Sequence, residues 1–215
     1  SGRLASPNVA AEQGVVTDTA VDGTLWAAGP TWKASFGANG TTFVPCFGPS
    51  APRNFPAAMP RAVVSVAGQL LAGEPVPPTF AFAAVEYRGP SFTERYELRS
   101  AGIEQQFVFT TLPARGALQV MVPFSSELAC RGAGADGFRF ANEHGSFGYG
   151  RAVAFDADGD RLELTTEWTG SGFVITVPAA FVAEASLPLV VDPLVGNVVA
   201  YTTDTKTLVS TDAAW

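Results

Sequence analysis

Hydrophobic residues recur at every second position along much of this chain. In residues 103–110, Ile103, Gln105, Phe107 and Phe109 fall on one side of an extended backbone, and the residues between them fall on the other. A period of two is typical of a β-strand with one buried face. The pattern therefore predicts strands that pack one face against a second sheet.

Gly, Pro, Asn and Asp divide the chain into short segments rich in Val, Thr and Phe. Segments within residues 79–123 begin about 10 to 13 residues apart, which is typical of an antiparallel meander. Residues 32–36 and 41–47 flank the turn sequence GANG and predict a hairpin. Only residues 178–185 have a helical pattern, with Pro178 at the first helical position, and a loop fits that stretch equally well.

These features predict an all-β fold, an antiparallel β-sandwich with at most one short helix. It forms either one large unit or two adjoining sheet lobes, because β-domains often exceed 200 residues. We assign residues 1–197 to the sandwich, with a candidate sub-lobe boundary near residues 123–137. Residues 198–215 are predicted to be an extended C-terminal segment, either the lead-in to a missing repeat or an exchanged strand.

Charge and composition narrow the classes of partner. The net charge is −7, only 15% of residues are charged, and lysine occurs only at Lys33 and Lys206. Nucleic acids and anionic membranes attract clustered Lys and Arg, so neither is an expected partner. No apolar run approaches the roughly 20 residues of a membrane span, so no transmembrane segment is predicted. An acidic, Gly- and Pro-rich chain with little lysine is typical of an extracellular or cell-surface β-protein.

Three aspartates at alternate positions, Asp156, Asp158 and Asp160, are the nearest approach to a chemical motif. A twelve-residue calcium loop also needs a glycine at position 6 and a Glu at position 12. Glu167 does occupy position 12, but Arg161 occupies position 6. The spacing therefore matches the calcium motif only in part.

A hairpin turn explains the same stretch better. Asp158 and Gly159 form one of the strongest short-range hairpin signals, since both tolerate a positive φ. Residues 161–168 alternate in polarity and predict one strand, whereas a calcium loop would continue into a helix. We favour the turn and keep a weak calcium site as the alternative, because three neighbouring carboxylates repel one another unless a cation or solvent intervenes.

Cys46 and Cys130 are the only cysteines, and they are too few and too far apart to predict a metal site by spacing. In an oxidising compartment they predict one long-range disulfide. The alternative is two buried free thiols, which behave as small hydrophobic groups.

The single histidine, His144, lies beside Glu143 and near Ser146 in a predicted hairpin turn. One histidine would suffice for a Ser-His-Asp hydrolase, but no G-x-S-x-G elbow accompanies it. A structural role is therefore favoured. Paired carboxylates for glycoside hydrolysis stay open, because sequence spacing says nothing about their separation in space.

Aromatic residues admit two interpretations. Four tryptophans and four tyrosines are enough for a sugar-stacking platform on a sheet face, and Trp168 and Tyr149 are the candidate ligand-binding residues. Packing in the core is the favoured alternative, since sixteen phenylalanines already predict an aromatic interior. The eight residues are Trp26, Trp32, Trp168, Trp215, Tyr87, Tyr96, Tyr149 and Tyr201.

Residues 156–195 contain, in order, a D-x-D-G turn, a strand, a glycine-rich turn, a strand ending in Val-Pro, and the sequence LPLVVDP. With GIEQQFVF and EHGSFGYGRAVAFDADG upstream, this order resembles the β-rich N-terminal region of large secreted bacterial surface proteins that carry β-propeller-like or other β-repeats. The resemblance covers residues 86–215. It implies a secreted or cell-surface module that serves as a scaffold, stalk base or adhesion unit, and it brings no catalytic residues.

We therefore expect a non-catalytic structural or interaction module of a bacterial surface or secreted protein. Its expected partners are other proteins or further copies of itself, bound through sheet edges and including strand addition by the C-terminal segment. The alternative is a glycan-binding β-sandwich with an optional calcium ion. An extracellular hydrolase is the third class, because carboxylates are numerous. No other cofactor is expected.

Overall fold

A computed structural model describes residues 8–10, 14–71, 76–81, 84–134 and 137–201 of the chain. The described residues form three antiparallel β-sheets and one short helix. This arrangement confirms the predicted all-β class and is consistent with a β-sandwich.

The first part of the chain forms a seven-stranded sheet, which we call the N-terminal sheet. Its β4–β5 hairpin turns at Ala38 and Asn39 and confirms the hairpin predicted around GANG. In spatial order its strands are β1 (Asn8–Ala10), β2 (Val15–Thr19), β3 (Leu25–Ala28), β4 (Trp32–Gly37), β5 (Gly40–Pro45), β6 (Ala57–Pro60) and β14 (Ser125–Ser126).

Two further sheets complete the fold, a long sheet of eleven strands and a small sheet of five. The main path of the long sheet is β15 (Ala129–Gly134), β16 (Gly137–Ala141), β17 (Gly145–Tyr149), β23 (Leu194–Ala200), β12 (Gly102–Phe109), β11 (Thr93–Arg99), β10 (Ala84–Arg88) and β9 (Thr79–Ala81). Off this path, β22 (Leu189–Asp192) pairs with β12 and with β18 (Val153–Phe155), which also pairs with β19 (Arg161–Glu163). The small sheet is β20 (Thr165–Trp168), β21 (Gly172–Val177), β13 (Leu118–Pro123), β7 (Val63–Val66) and β8 (Gln69–Leu70).

The predicted meander is confirmed from β9 to β12, whose neighbours pair in sequence order. It does not continue into β13, which crosses to the small sheet and pairs with β7 and β21. Residues 161–168 likewise form two strands instead of the single one predicted. The chain leaves the long sheet at Leu164, whose N–H donates to the carbonyl of Ala152 at 2.9 Å, and β20 then joins the small sheet.

Aromatic rings join the sheets into one core. Phe43 of the N-terminal sheet lies 5.4 Å from Phe147 of the long sheet, measured between ring centroids. Phe173 of the small sheet stacks on Tyr149 of the long sheet at 3.7 Å. The N-terminal and small sheets thus both cover the inner face of the long sheet, and the aromatic side chains bury a large apolar area there.

Helix α1 (Ala179–Glu184) resolves the ambiguity at residues 178–185 in favour of a helix, with Pro178 one position earlier than expected, at the N-cap. Its C-terminal carbonyls are satisfied from outside: Nη1 of Arg115 donates to the carbonyls of Val182 at 2.7 Å and Ala185 at 2.8 Å. A basic side chain at this end of a helix satisfies acceptors that the helix cannot. Within the described residues, no helix is long and apolar enough to cross a membrane.

Candidate functional site

The aspartate stretch forms a turn organised by one carboxylate. Oδ1 of Asp156 accepts hydrogen bonds from the N–H groups of Asp158 at 3.0 Å and Asp160 at 2.9 Å. Oδ2 accepts from the N–H of Ser186 at 2.9 Å, which ties the turn to the chain that follows α1. These bonds, above all the one from Ser186, lower the pKa of Asp156 because they stabilise its charged form.

The three aspartates are not gathered around a common point. Asp158 accepts a hydrogen bond from the Ser186 hydroxyl, and the exposed side chain of Asp160 has no hydrogen bond within the described structure. No group of three or more His, Cys, Asp or Glu among the described residues could hold a metal ion. The structure shows the hairpin turn that the sequence favours, in which Gly159 has a φ of 92°, and the calcium alternative stays a prediction.

The structure contains no disulfide between Cys46 and Cys130, and both thiols are free and half-buried. The pairing expected in an oxidising compartment stays a prediction. Cys46 follows β5, where its N–H donates to the carbonyl of Thr31 at 2.8 Å. Cys130 lies in β15 opposite Phe140. Backbone pairing therefore holds the two cysteines in different sheets.

His144 lies in the turn between β16 and β17, as predicted. Its ring stacks on Phe55 with 5.7 Å between centroids, and its Nε2 lies 3.4 Å from Oε1 of Glu143. Oδ1 of Asn142 accepts hydrogen bonds from the N–H groups of His144 at 2.9 Å and Gly145 at 3.2 Å, and these bonds shape the turn. The contacts of His144 are those of a structural residue.

The candidate ligand-binding aromatics, Tyr149 and Trp168, both lie in the core. Tyr149 is fully buried, and its hydroxyl donates to Oε1 of Gln105 at 3.1 Å. Half-buried Trp168 packs edge-on against Phe124 at 5.8 Å and Phe140 at 5.3 Å. The buried Tyr149 ring belongs to the core, and Trp168 is partly buried against it, so the structure favours core packing for both. Trp215 lies outside the described residues.

A buried polar cluster on β11 and β12 was not predicted. Oε1 of Glu94 accepts hydrogen bonds from the hydroxyl of Tyr96 at 2.6 Å and from Nε2 of Gln105 at 3.0 Å. Its Oε2 accepts from Nε of Arg61 at 2.9 Å. The Glu94 side chain is only 1% exposed. The carboxylate is therefore almost completely enclosed by its own donors and its charge partner.

Arg61 and Tyr87 close the cluster towards the N-terminal sheet. The Arg61 guanidinium lies 4.3 Å from the centroid of the Tyr87 ring, and the Tyr87 hydroxyl donates to the carbonyl of Gly40 at 3.1 Å. Burial raises the pKa of Tyr87, and burial together with the Glu94 carboxylate raises that of Tyr96. Both phenols therefore stay neutral donors. The sequence feature that could have predicted this cluster is the presence of polar Glu94 and Gln105 on the otherwise apolar faces of their strands.

The outer face of the same strands carries ion pairs. Glu97 contacts Arg95 at 3.1 Å and also Arg99, which in turn lies 2.7 Å from Glu104. Next to them, burial and then the Glu104 carboxylate raise the pKa of Asp192 to about 7. A raised carboxyl pKa is a signal of functional sites as well as of structural clusters.

No family model, curated protein or solved structure matches this chain. The resemblance to secreted bacterial surface proteins therefore stays a prediction.

Proposed function

We propose that this chain is a non-catalytic structural and interaction module of an extracellular or cell-surface bacterial protein. The observation that carries the proposal is that two acidic side chains, Asp156 and Glu94, are occupied with holding the fold together. Asp156 holds a turn through three backbone N–H groups, and Glu94 is enclosed by its own donors. Composition and the resemblance support the extracellular assignment.

Sheet edges supply the interaction surface. β20 is the last strand of the small sheet and pairs with β21 alone over Thr165–Trp168. Such an edge offers unpaired backbone donors and acceptors to an added strand. The edge strand β15, by contrast, has a register shift between Cys130 and Ala133. Irregularities of this kind weaken an edge as a template, so we assign strand addition to β20.

Light scattering of the purified protein, with and without EDTA and over a range of concentrations, tests the proposal. We expect species larger than a monomer that persist in EDTA. A monomer in both conditions would contradict self-association. Species that dissociate in EDTA would instead indicate assembly through a bound divalent cation.

A charge on the edge distinguishes strand addition from other contacts. Thr165→Lys places a positive side chain on an exposed position of β20 and should shift the distribution towards monomer. Thr111→Lys, at an exposed position between β12 and β13, is the matched control and should leave it unchanged. Equal effects of both variants would exclude the β20 edge.

Turnover of a polysaccharide or peptide that one Glu or Asp substitution abolishes would contradict a non-catalytic role.

A further inference from the structure

Trp26 differs from the two other tryptophans in the described part of the chain. Trp32 is fully buried, and its Nε1–H donates to the carbonyls of Arg99 and Ser100, both at 3.1 Å. Trp168 packs among the rings of the core. Trp26 is 42% exposed on β3, and its ring makes no hydrogen bond and no ring contact to any described residue.

The strand register places small and hydroxyl side chains in line with this ring. Trp26 lies opposite Ser35 of β4, Ser35 opposite Thr42 of β5, and Thr42 opposite Ala58 of β6. The alternate residues of these strands are buried, so the row lies on the outer face of the N-terminal sheet. Since neighbouring strands lie about 4.8 Å apart, the row extends over about 14 Å.

A shallow cleft of about 510 Å³ is lined by Ser35, Thr42 and Ala58 of this row and by residues around the β4–β5 turn. Trp26 does not line the cleft itself but lies at its side, directly opposite Ser35 on the neighbouring strand, and we call the whole site the Trp26 cleft. Its polar lining includes the side chains of Ser35, Thr42 and Asn39, and none of these three has a hydrogen-bond partner in the described structure. No charged residue in the described part of the chain lines it. The cleft therefore offers neutral donors and acceptors, and the exposed Trp26 side chain lies one strand away from its Ser35 side.

We infer that the Trp26 cleft binds a neutral saccharide of more than one sugar ring. The ring of Trp26 suits the C–H face of a pyranose, and the hydroxyls of Ser35 and Thr42 and the amide of Asn39 suit its hydroxyl groups. Aromatic rings with a few convergent polar groups are typical of small-ligand sites. The row is long enough for more than one sugar ring, and the small side chains of Ser35, Thr42 and Ala58 leave space for the ligand above the sheet.

Other ligands fit the Trp26 cleft less well. An anionic ligand would find no charged residue in its lining. A peptide strand would find the backbone groups of β3, β4 and β5 already paired on both sides. An apolar protein surface would bury the hydroxyls of Ser35 and Thr42 without partners, which is costly. This inference goes beyond the proposed scaffold role and does not depend on it, because it concerns the outer face of the N-terminal sheet, whereas β20 belongs to the small sheet.

The test is binding to an array of neutral oligosaccharides, namely fragments of glucans, mannans, xylans and chitin. The strongest binder is then titrated calorimetrically against the full chain. Trp26→Ala should weaken that binding by roughly thirtyfold, as expected when the aromatic stacking residue of a site is removed. Ser35→Ala and Thr42→Val should each weaken it by about threefold to tenfold, because each removes a hydrogen bond. Bound saccharide should also protect Trp26 fluorescence from quenching by acrylamide.

Two control variants separate loss of stacking from loss of folding. Trp26→Phe retains an aromatic face and should restore most of the affinity. Met121→Ala removes an exposed apolar side chain from β13 and should leave the affinity unchanged. Absence of binding to every oligosaccharide on the array, or unchanged affinity in Trp26→Ala, would overturn the inference. A change in molecular mass on Trp26→Ala without saccharide binding would also overturn it and assign this face to a second copy of the chain.

Discussion

At the scale of the residue, the carboxylate of Asp156 organises the turn that follows β18. It connects the turn after β18 to Ser186 through hydrogen bonds from three N–H groups. The charged carboxylate is a stronger acceptor than a neutral group would be. Its lowered pKa couples the stability of this turn to pH.

We expect Asp156→Asn to lower the free energy of unfolding at pH 7, because the amide carries no charge and presents an N–H₂ group to one of its three donors. The folded pKa of Asp156 lies below its ordinary value of 3.8. Its contribution is therefore complete above about pH 4 and is lost as pH falls through the folded pKa. Urea unfolding at pH 7 and pH 3 checks this, with Asp160→Asn as the control that should match the wild type. A destabilisation that persists unchanged at low pH would contradict it.

The pKa of Asp192 is shifted upwards, whereas that of Asp156 is shifted downwards, so the two residues have opposite effects on the pH dependence of stability. Burial raises the pKa of Asp192 to about 7 in the folded chain, so the folded state binds more protons than the unfolded state between about pH 4 and pH 7. Stability therefore falls as pH rises through that window.

Asp192→Asn should remove this dependence, because the amide cannot ionise. We expect little change at pH 4 and a gain of about 1–2 kcal/mol at pH 8, a modest value because solvent screens a carboxyl that is only half-buried. Urea midpoints at the two pH values measure the difference. Glu163→Gln, at an exposed position of β19, is the control. A gain that is equal at both pH values would show that Asp192 does not titrate as proposed.

At the scale of the element, β11 and β12 combine two different faces. Their outer side chains form ion pairs that solvent screens, whereas Glu94 and Gln105 on the inner faces meet Tyr96 and Arg61 away from water. Breaking a buried ion pair leaves an uncompensated charge. The inner cluster therefore fixes how these strands pack against the N-terminal sheet.

Glu94→Gln should lower the free energy of unfolding by about 3 kcal/mol, since the Arg61 charge loses its carboxylate in a buried setting. Glu127→Gln breaks the exposed pair with Arg53 and is the matched control, with no measurable effect expected. Chemical denaturation of both variants at neutral pH compares them. Similar destabilisation by the two substitutions would contradict the distinction between the inner and outer pairs.

At the scale of the whole molecule, Phe124 links the sheets. It lies between β13 and β14, and it is 3% exposed. Its ring contacts Phe140 and Phe147 of the long sheet and Phe173 of the small sheet, at centroid distances of 4.6, 6.3 and 5.2 Å. The predicted sub-lobe boundary at residues 123–137 begins beside this residue.

Phe124→Ala should cost about 3–5 kcal/mol, the usual range when a buried aromatic side chain is truncated. Because one core is shared, tryptophan fluorescence and far-UV circular dichroism should still report a single common transition. Phe181→Ala, on half-buried α1, should cost less. Two separated transitions in the variant would instead support independent lobes.

The sequence alone determined the local structure. Alternation placed Ile103, Gln105, Phe107 and Phe109 on one face, and all four are fully buried. Asp158 and Gly159 specified a turn that the structure contains. These features depend on the conformational preferences of neighbouring residues and on a strand period of two, which are readable within a few positions.

Only the tertiary structure decided which distant residues meet. In the folded chain β13 pairs within the small sheet, and Arg115 donates hydrogen bonds to the C-terminal carbonyls of α1. Cys46 and Cys130 are unpaired, and Glu94 is buried against Arg61. The tertiary structure also placed Trp26 on an outer face and Tyr149 in the core, although both are aromatic residues in strands. Alternation shows that one face of a strand is buried, but it does not show which partner covers that face. The partner is chosen by the packing of the whole chain, to which residues far apart in sequence contribute together.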